Sequence, residues 1–348
     1  MGHSGHAVFA SAPEEDHQVV DALATLGVDY FQVPMSRAGI DPGGDLLYFF
    51  RLWKAFRRRR PDMVLAYTIK PVTFGLLAAR FAGVKRRVAL VTGLGYVFMD
   101  GALLRKRVIR WIACHLYRWA LQGSEQIFFQ NPDDQEEFAR LGILAPDARV
   151  CLVNGSGVDL ARYREAPVAD GPIFLMIARL LRDKGVVEYV QAAILVKARY
   201  PEARFILVGG LDPNPAAISN EEIEAWVAAG AIEYWGELSD VRPALASCSV
   251  YVLPSYREGT PRTVLEAMAV GRAIITTDAP GCRETVEQGG NGFLVPVRDA
   301  DSLAEAMFRL IETPELVCAM ARRSREIAEE KYDVNKVNAM MLKAMELA

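Results

Sequence analysis

Ile173-Phe174-Leu175-Met176-Ile177-Ala178-Arg179-Leu180-Leu181-Arg182-Asp183-Lys184-Gly185 is an uninterrupted apolar run that breaks into a cationic turn closed by glycine. A run without polar alternation suits a strand covered on both faces, as in a parallel sheet. The turn lies at a strand-to-helix transition. Its Arg179 and Lys184 are two fixed cations that would clamp a diphosphate and stabilise charge growing on a leaving oxygen. An ordinary solvated loop, with Asp183 as the counter-charge, is the other reading of the same residues.

The alternation of short apolar runs with longer amphipathic stretches extends in both directions and predicts repeated strand and helix units, an α/β protein built on parallel sheets. Downstream, strands are expected at Phe205-Ile206-Leu207-Val208, Ile232-Glu233-Tyr234, Val250-Tyr251-Val252-Leu253 and Ala273-Ile274-Ile275-Thr276-Thr277. Upstream they are expected at Ala7-Val8-Phe9-Ala10, Met63-Val64-Leu65-Ala66, Val88-Ala89-Leu90-Val91 and Gln126-Ile127-Phe128-Phe129, with helices over 74–82, 103–121 and 132–141. Leu303 to Leu310 and the tail from Pro314 also read as helical, interrupted at Tyr332-Asp333-Val334. The more polar stretch Arg164 to Pro172 is the hinge candidate. It divides the chain into a first domain, 1–168, and a second, 169–348, whose terminal helices are expected to pack back on the first.

A length of 348 residues suits two domains better than one. The formal charge of -3 argues against a dominant nucleic-acid footprint, so no nucleic-acid partner is expected. Local basic clusters nevertheless stand out. One is Arg57 to Arg60; the other is Arg105, Lys106, Arg107, Arg110 and Arg118 around the apolar Trp111-Ile112-Ala113-Cys114-His115-Leu116-Tyr117. That combination suits contact with an anionic membrane, and a buried helix with a basic outer face is the alternative. No run is long and charge-free enough to cross a bilayer, and the start shows no signal-peptide pattern, so a cytoplasmic protein is expected. Cys114, Cys151, Cys248, Cys282 and Cys318 are dispersed, which fits neither a disulfide framework nor a zinc site. Compact histidine and carboxylate clusters are also lacking, and metal-independent chemistry is expected. Asp133-Asp134 reads as helix-start capping.

Two acids carry the remaining chemistry. In Tyr256-Arg257-Glu258-Gly259-Thr260-Pro261-Arg262-Thr263-Val264-Leu265-Glu266, the apolar stretch from Val264 to Val270 implies that Glu266 opens a helix and Glu258 lies on the loop leading into it. Amide groups near such a helix start would hold anionic oxygens, while the carboxylates would accept hydrogen bonds from sugar or ribose hydroxyls. In Pro280-Gly281-Cys282-Arg283-Glu284, glycine permits close approach of the loop and Glu284 would fix a ligand or a backbone group. Cys282 has no adjacent histidine and reads as an inert thiol.

Taken in order, Ala178-Arg179 with Lys184-Gly185, Ser255 with Glu258-Gly259, Glu266-Ala267, and Pro280-Gly281 with Glu284 resemble the family-four retaining glycosyltransferases of the GT-B architecture, over most of residues 6–325. The resemblance implies two Rossmann-like domains facing an interdomain cleft, a UDP-sugar as donor substrate and no further cofactor. It also implies that Arg179 and Lys184 bind the donor diphosphate, that Glu266 contacts the ribose, and that Glu258, followed by Gly259 and Thr260, lies beside the transferred sugar. Glu258, Arg179 and Lys184 would then be the catalytic residues. The turn Val153-Asn154-Gly155-Ser156-Gly157-Val158-Asp159 would come near the donor through Asn154, Gly155 and Gly157.

Ala66-Tyr67-Thr68-Ile69-Lys70-Pro71 and Val91-Thr92-Gly93-Leu94-Gly95-Tyr96 end expected strands of the first domain, where open parallel sheets expose ligands. Both segments resemble the bacterial subgroup that transfers N-acetylhexosamine or related sugars to polyprenyl-diphosphate-linked saccharides. Lys70 would meet an acceptor phosphate, Thr92, Gly93 and Gly95 would shape the acceptor pocket, and the enzyme would work at the cytoplasmic face of the inner membrane. The family pattern places an initial strand before the segment resembling Gly5-His6-Ala7-Val8-Phe9. Only four residues precede Gly5 here, so the first domain is expected to lack that strand. A nucleotide-sugar epimerase of similar form, or a non-catalytic nucleotide-sugar-binding or membrane-scaffolding protein, would share the donor-side residues.

Overall fold

In the computed structural model, which describes residues 5–14, 16–35, 41–94, 104–212, 214 and 217–347, the apolar runs become strands and the amphipathic stretches become helices. The chain divides into two units. The first holds Met1–Phe129, Asp134–Leu152 and Ala339–Ala348; the second holds Gln130–Asp133 and Val153–Asn338.

The first unit runs β1 (Phe9–Ala12), α1 (His17–Thr25), β2 (Asp29–Gln32), α2 (Pro42–Arg59), β3 (Met63–Tyr67), α3 (Leu76–Ala82), β4 (Arg86–Val91), α4 (Leu104–Leu121), β5 (Gln126–Phe129), α5 (Pro132–Arg140) and β6 (Val150–Leu152). Among the described residues, β3, β4, β5 and β6 form one parallel ladder in that order, while β1 and β2 form a separate parallel pair. Val88, Ala89, Ile127, Phe128 and Phe129 are buried, as central parallel strands require. Asp41 caps α2 by accepting from the Gly44 N–H, Pro42 supplies a preset first turn, and Arg60 ends the helix in the left-handed region at φ 48°. The expected helix over 74–82 is shorter. Residues Pro71–Gly75 form a wider π-type turn that precedes α3. The expected strand at 7–10 lies at 9–12, and β2, β6 and α2 were not foreseen, because each is short or too charged to show a clean period.

The second unit runs β7 (Ile173–Ile177), α6 (Val186–Arg199), β8 (Arg204–Val208), α7 (Asn220–Ala228), β9 (Glu233–Tyr234), α8 (Arg242–Ala246), β10 (Val250–Leu253), α9 (Arg262–Val270), β11 (Ala273–Thr277), β12 (Gly292–Val295), α10 (Ala300–Glu312), α11 (Pro314–Lys331) and the start of α12 (Val334–Ala344), whose residues from Ala339 onward count with the first unit. Among the described residues its six strands are parallel, in the order β9-β8-β7-β10-β11-β12. β7 is central, with Phe174 level with Phe205 on one side and Val250 on the other. Phe174, Leu175, Met176, Phe205, Tyr251 and Val252 are fully buried, which explains the absence of polar alternation in these runs. The chain direction across the sheet reverses between β7 and β10. In doubly wound sheets that reversal leaves a crevice beyond the carboxyl ends of the two strands, and ligands bind there.

The boundary between the units falls at Leu152/Val153 rather than at 168. Residues 153–168 are tied to the second unit. Val158 exchanges backbone hydrogen bonds with Tyr332 and Val334, and the Ala166 N–H donates to Val270 O. The Ala166 and Pro167 carbonyls accept from the fully buried Arg272 guanidinium, which also reaches the Leu245 and Ala246 carbonyls ending α8. A polar, proline-containing segment that looked like a hinge is thus anchored by carbonyl contacts that composition does not reveal.

Candidate functional site

The turn after β7 and the loop after β10 meet at the switch point, and glycine makes the approach possible. Gly185 sits at φ 75°, and a Cβ there would lie 2.1 Å from the Pro254 carbonyl oxygen. The Asp183 carbonyl accepts from the Tyr256 N–H at 2.9 Å and from the Ser255 hydroxyl at 3.2 Å, so the two loops are bonded as well as packed. Their side chains then pair: Lys184 Nζ lies 2.6 Å from Glu258 Oε1, with the two side chains 16% and 17% exposed. Arg179, on the same turn, is 69% exposed and among the described residues makes a long contact, 3.4 Å, to Asp212. The arrangement offers one ammonium held by a carboxylate and one guanidinium near solvent.

Helix α9 starts at Arg262 behind Pro261, and α6 starts behind Gly185. Among the described residues neither start is capped by a side chain, so both present amide groups suited to anionic oxygens. Glu266 falls in the second turn of α9 rather than at its opening. It is buried, accepts from Arg262 Nε at 3.1 Å, and its carboxyl is pushed above the usual range by burial, opposed by Tyr163 and by the charge of Arg262.

A third element closes on Glu258. The Glu258 N–H donates to Pro280 O at 2.9 Å, and a Cβ on Gly281, itself at φ 81°, would lie 2.2 Å from the Glu258 carbonyl oxygen. Glu284, just beyond, has its carbonyl held by the Tyr332 hydroxyl at 2.6 Å and by Lys331 Nζ at 2.9 Å. Its carboxyl is raised by burial, and Oε2 has no hydrogen-bond partner among the described residues. Burial pushes the Cys282 thiol up to about 12, which leaves it a poor nucleophile.

The turn at 153–159 divides its residues between two places. Gly155, at φ 62°, packs where a Cβ would lie 2.9 Å from the Thr260 side chain, so it borders the loop that carries Glu258 and Gly259. Asn154 instead donates to the Lys331 carbonyl at 3.1 Å, and Gly157 fits against Val334, where a Cβ would come within 2.6 Å of the backbone. These two seat the break between α11 and α12.

Sequence reasoning missed the turn after β5. Asn131, almost fully buried, donates from Nδ2 to the Gly259 carbonyl at 2.8 Å and reaches the Glu258 carbonyl at 3.4 Å. The Thr260 hydroxyl donates to Gln130 O at 3.2 Å. Asp133 accepts both contacts of Arg283 Nη1, at 2.9 and 3.0 Å, instead of acting only as a helix cap. The available signal was position: these residues directly follow a buried parallel strand, where sheets of this kind carry their sites.

In the first unit, Lys70 is held by Asp45 at 2.7 Å, with both side chains largely buried. Thr68, two residues before it, has φ 72°, a strained conformation for a β-branched residue, and the π-type turn follows at once. Thr92 and Gly93 follow β4, as expected, while Gly95 lies outside the described residues. Among the described residues no group of three or more histidine, cysteine or acidic side chains is placed to hold a metal ion, and no helix is long and apolar enough to cross a membrane.

Two family models match the chain: "Glycosyl transferases group 1" over residues 171–313 and "Glycosyl transferase 4-like domain" over residues 1–155. The chain is 32% identical over 350 residues to the N,N'-diacetylbacillosaminyl-diphospho-undecaprenol alpha-1,3-N-acetylgalactosaminyltransferase of Campylobacter jejuni, covering 97% of this chain and 90% of that protein. It is 25% identical over 297 residues to the UDP-Gal:alpha-D-GlcNAc-diphosphoundecaprenol alpha-1,3-galactosyltransferase of Escherichia coli, covering 81% and 74%. Among solved structures, Anabaena HepE in complex with UDP and glucose is similar with a TM-score of 0.76 at 19% identity, covering 98% of this chain and 92% of that one. Sucrose-phosphate synthase from Thermosynechococcus elongatus is similar with a TM-score of 0.76 at 20% identity, covering 99% and 96%. At such identities the likeness is one of fold, two Rossmann-like α/β units of the GT-B architecture.

Proposed function

The chain belongs to the group 1 glycosyl transferases, and we propose that it moves a sugar, with retention, from a UDP-sugar to a polyprenyl-diphosphate-linked saccharide. The observation that carries the donor side is the Lys184–Glu258 pair at the switch point, on the loops leading into two helix starts that have no side-chain cap among the described residues. A diphosphate brings more negative charge than one carboxylate and would take the ammonium from Glu258. Glu258 would then be free to accept from a sugar hydroxyl, Arg179 would close on the phosphates from the solvent side, and Glu266 would receive the ribose hydroxyls. The bond from sugar C1 to the leaving phosphate oxygen breaks, and the acceptor hydroxyl oxygen bonds C1 on the same face. The hydroxyl proton passes to the departing phosphate, whose growing charge Lys184 and Arg179 stabilise. Glu284, whose Oε2 has no partner among the described residues, is a further acceptor for donor hydroxyls.

The acceptor side follows the Campylobacter and Escherichia relatives, both named for transfer to diphospho-undecaprenol saccharides. Thr68, Lys70, Thr92 and Gly93 would line that side, where backbone strain and the π-type turn mark the end of β3. A lipid-linked acceptor places the enzyme at the cytoplasmic face of the inner membrane. The surface of the first unit suits this. On α2, Leu46, Phe50 and Trp53 form an exposed stripe at helical spacing, Phe81 and Trp119 meet edge-on at 5.6 Å, and α4 exposes Val108, Trp111 and Ile112. Arg57, Arg58, Arg59, Arg107 and Arg118 are exposed on the same helices, Arg57 lies over the Trp53 ring at 5.8 Å, and the one acid of these helices, Asp45, is buried against Lys70.

Mass spectrometry of products from a panel of UDP-sugars and polyprenyl-diphosphate saccharides tests the reading. A product heavier by one glycosyl residue, formed only with both substrates, is expected. An isomerised UDP-sugar without acceptor would replace transfer by epimerisation, and saturable UDP-sugar binding with no product from any acceptor would point to a non-catalytic role.

A further inference from the structure

The loop that carries Glu258 is gripped from two directions, and only one grip comes from the residues already assigned to the donor. On one side, Pro280 O accepts from the Glu258 N–H, and Gly281 is the only kind of residue that fits against the Glu258 carbonyl. On the other side stands the segment Gln130–Asp133, which leads from β5 into the start of α5 and counts with the second unit. Its Asn131 side chain is almost fully buried, with Nδ2 aimed at two successive carbonyls, Gly259 O at 2.8 Å and Glu258 O at 3.4 Å. A carboxamide NH2 has two hydrogens for two acceptors, a capacity that a carboxylate or a methyl group lacks. Gln130 O takes the Thr260 hydroxyl one residue further on, and Asp133 binds Arg283 two residues after Gly281. The two turns therefore hold each other and the Glu258–Thr260 backbone.

We propose that Asn131 is a positioning residue for glycosyl transfer. By fixing the Glu258 and Gly259 carbonyls, its carboxamide sets the direction in which the Glu258 carboxylate leaves the loop, and hence its register with Lys184, 2.6 Å away. This rests on the donor-side reading above. Asn131 touches no substrate in this account; it acts through the loop. A buried amide that meets two carbonyls, one in a buried contact and one in a partly buried one, resists displacement, because breaking it leaves several polar groups unsatisfied at once.

The test uses the full chain with Asn131→Ala and Asn131→Asp. The first deletes the donors, and the second places a carboxylate against two carbonyl oxygens. Turnover at saturating UDP-sugar is expected to fall by about 10- to 100-fold, more for the aspartate, as a shift of the order of 1 Å in a reacting group produces. UDP affinity by calorimetry should hold, because Glu266 and Arg179 are untouched. Amide hydrogen exchange over 257–262, read without any sugar donor, should quicken in both variants. Native turnover in the folded alanine variant overturns the proposal. So does a joint loss of turnover, UDP binding and melting temperature, which would make Asn131 a general structural residue. Unchanged exchange over 257–262 also overturns it, and that readout stands even if the native chain transfers no sugar, so the two readings fail separately.

Discussion

Lys184 and Glu258 lie 74 positions apart and neutralise each other across 2.6 Å. The pairing keeps a largely buried carboxylate from standing alone, and under the proposed donor reading it holds the ammonium ready for a phosphate. In Lys184→Ala the carboxylate keeps its place without a counter-charge. Turnover is expected to fall by about 100-fold or more, and UDP affinity by about tenfold, since a charge-assisted contact is lost in both the bound and the reacting state. Calorimetry with UDP and steady-state rates with the best UDP-sugar check this, and native affinity in a folded Lys184→Ala protein would remove Lys184 from the phosphate site. The types of both residues could be read from the chain, because cations after a strand and acids before a helix have a chemistry of their own. Their contact could not, since nothing local relates position 184 to 258. Asn131 shows the limit from the other direction. Asparagine before proline at a strand end looks like ordinary turn chemistry until its two carbonyl partners are seen.

The decisive element is the β7–α6 connection. Its strand was legible to the residue, Ile173–Ile177, because a central parallel strand must be apolar on both faces. The strand-to-helix transition was legible near Arg179 and Lys184, but the reason for glycine at 185 was not. Gly185 needs both φ 75° and room against the Pro254 carbonyl, a group from another element. Gly185→Ala is therefore expected to destabilise the protein by roughly 3 kcal/mol, combining left-handed strain with a backbone clash. Denaturant unfolding measures the loss, and a cost below about 1 kcal/mol would mean that the loop relaxes without strain. The same variant should weaken transfer, because moving the turn moves Lys184. Elements whose burial is one-sided or whose length is short, such as β2, β6 and β12, left no comparable signal.

Across the whole molecule the charge is close to balanced, at -3, yet the helices α2, α3 and α4 carry basic residues around exposed aromatic side chains. Such a face should bind vesicles rich in anionic phospholipid and release them as salt rises, because the Debye length shortens to about 8 Å at physiological ionic strength and further above it. Co-sedimentation of the native chain is expected with anionic but not zwitterionic vesicles. Trp53→Ser combined with Phe81→Ser should weaken it while leaving transfer to a water-soluble acceptor analogue intact; equal binding by that variant would place the membrane face elsewhere. The sequence by itself determined the α/β class, the positions of the central strands and which charged residue types follow β7 and β10, since each depends on burial period or side-chain chemistry within a few positions. Only the tertiary structure decided the strand order that brings the β7 and β10 loops together, the close glycine contacts at 185 and 281, the anchoring of 153–168 by Arg272, and the reach of Asn131 to the Glu258 loop. All of these join residues far apart in the chain. Such contacts are set by how sheets and helices pack, and a linear pattern of hydrophobicity carries no record of which distant backbone groups will need a partner.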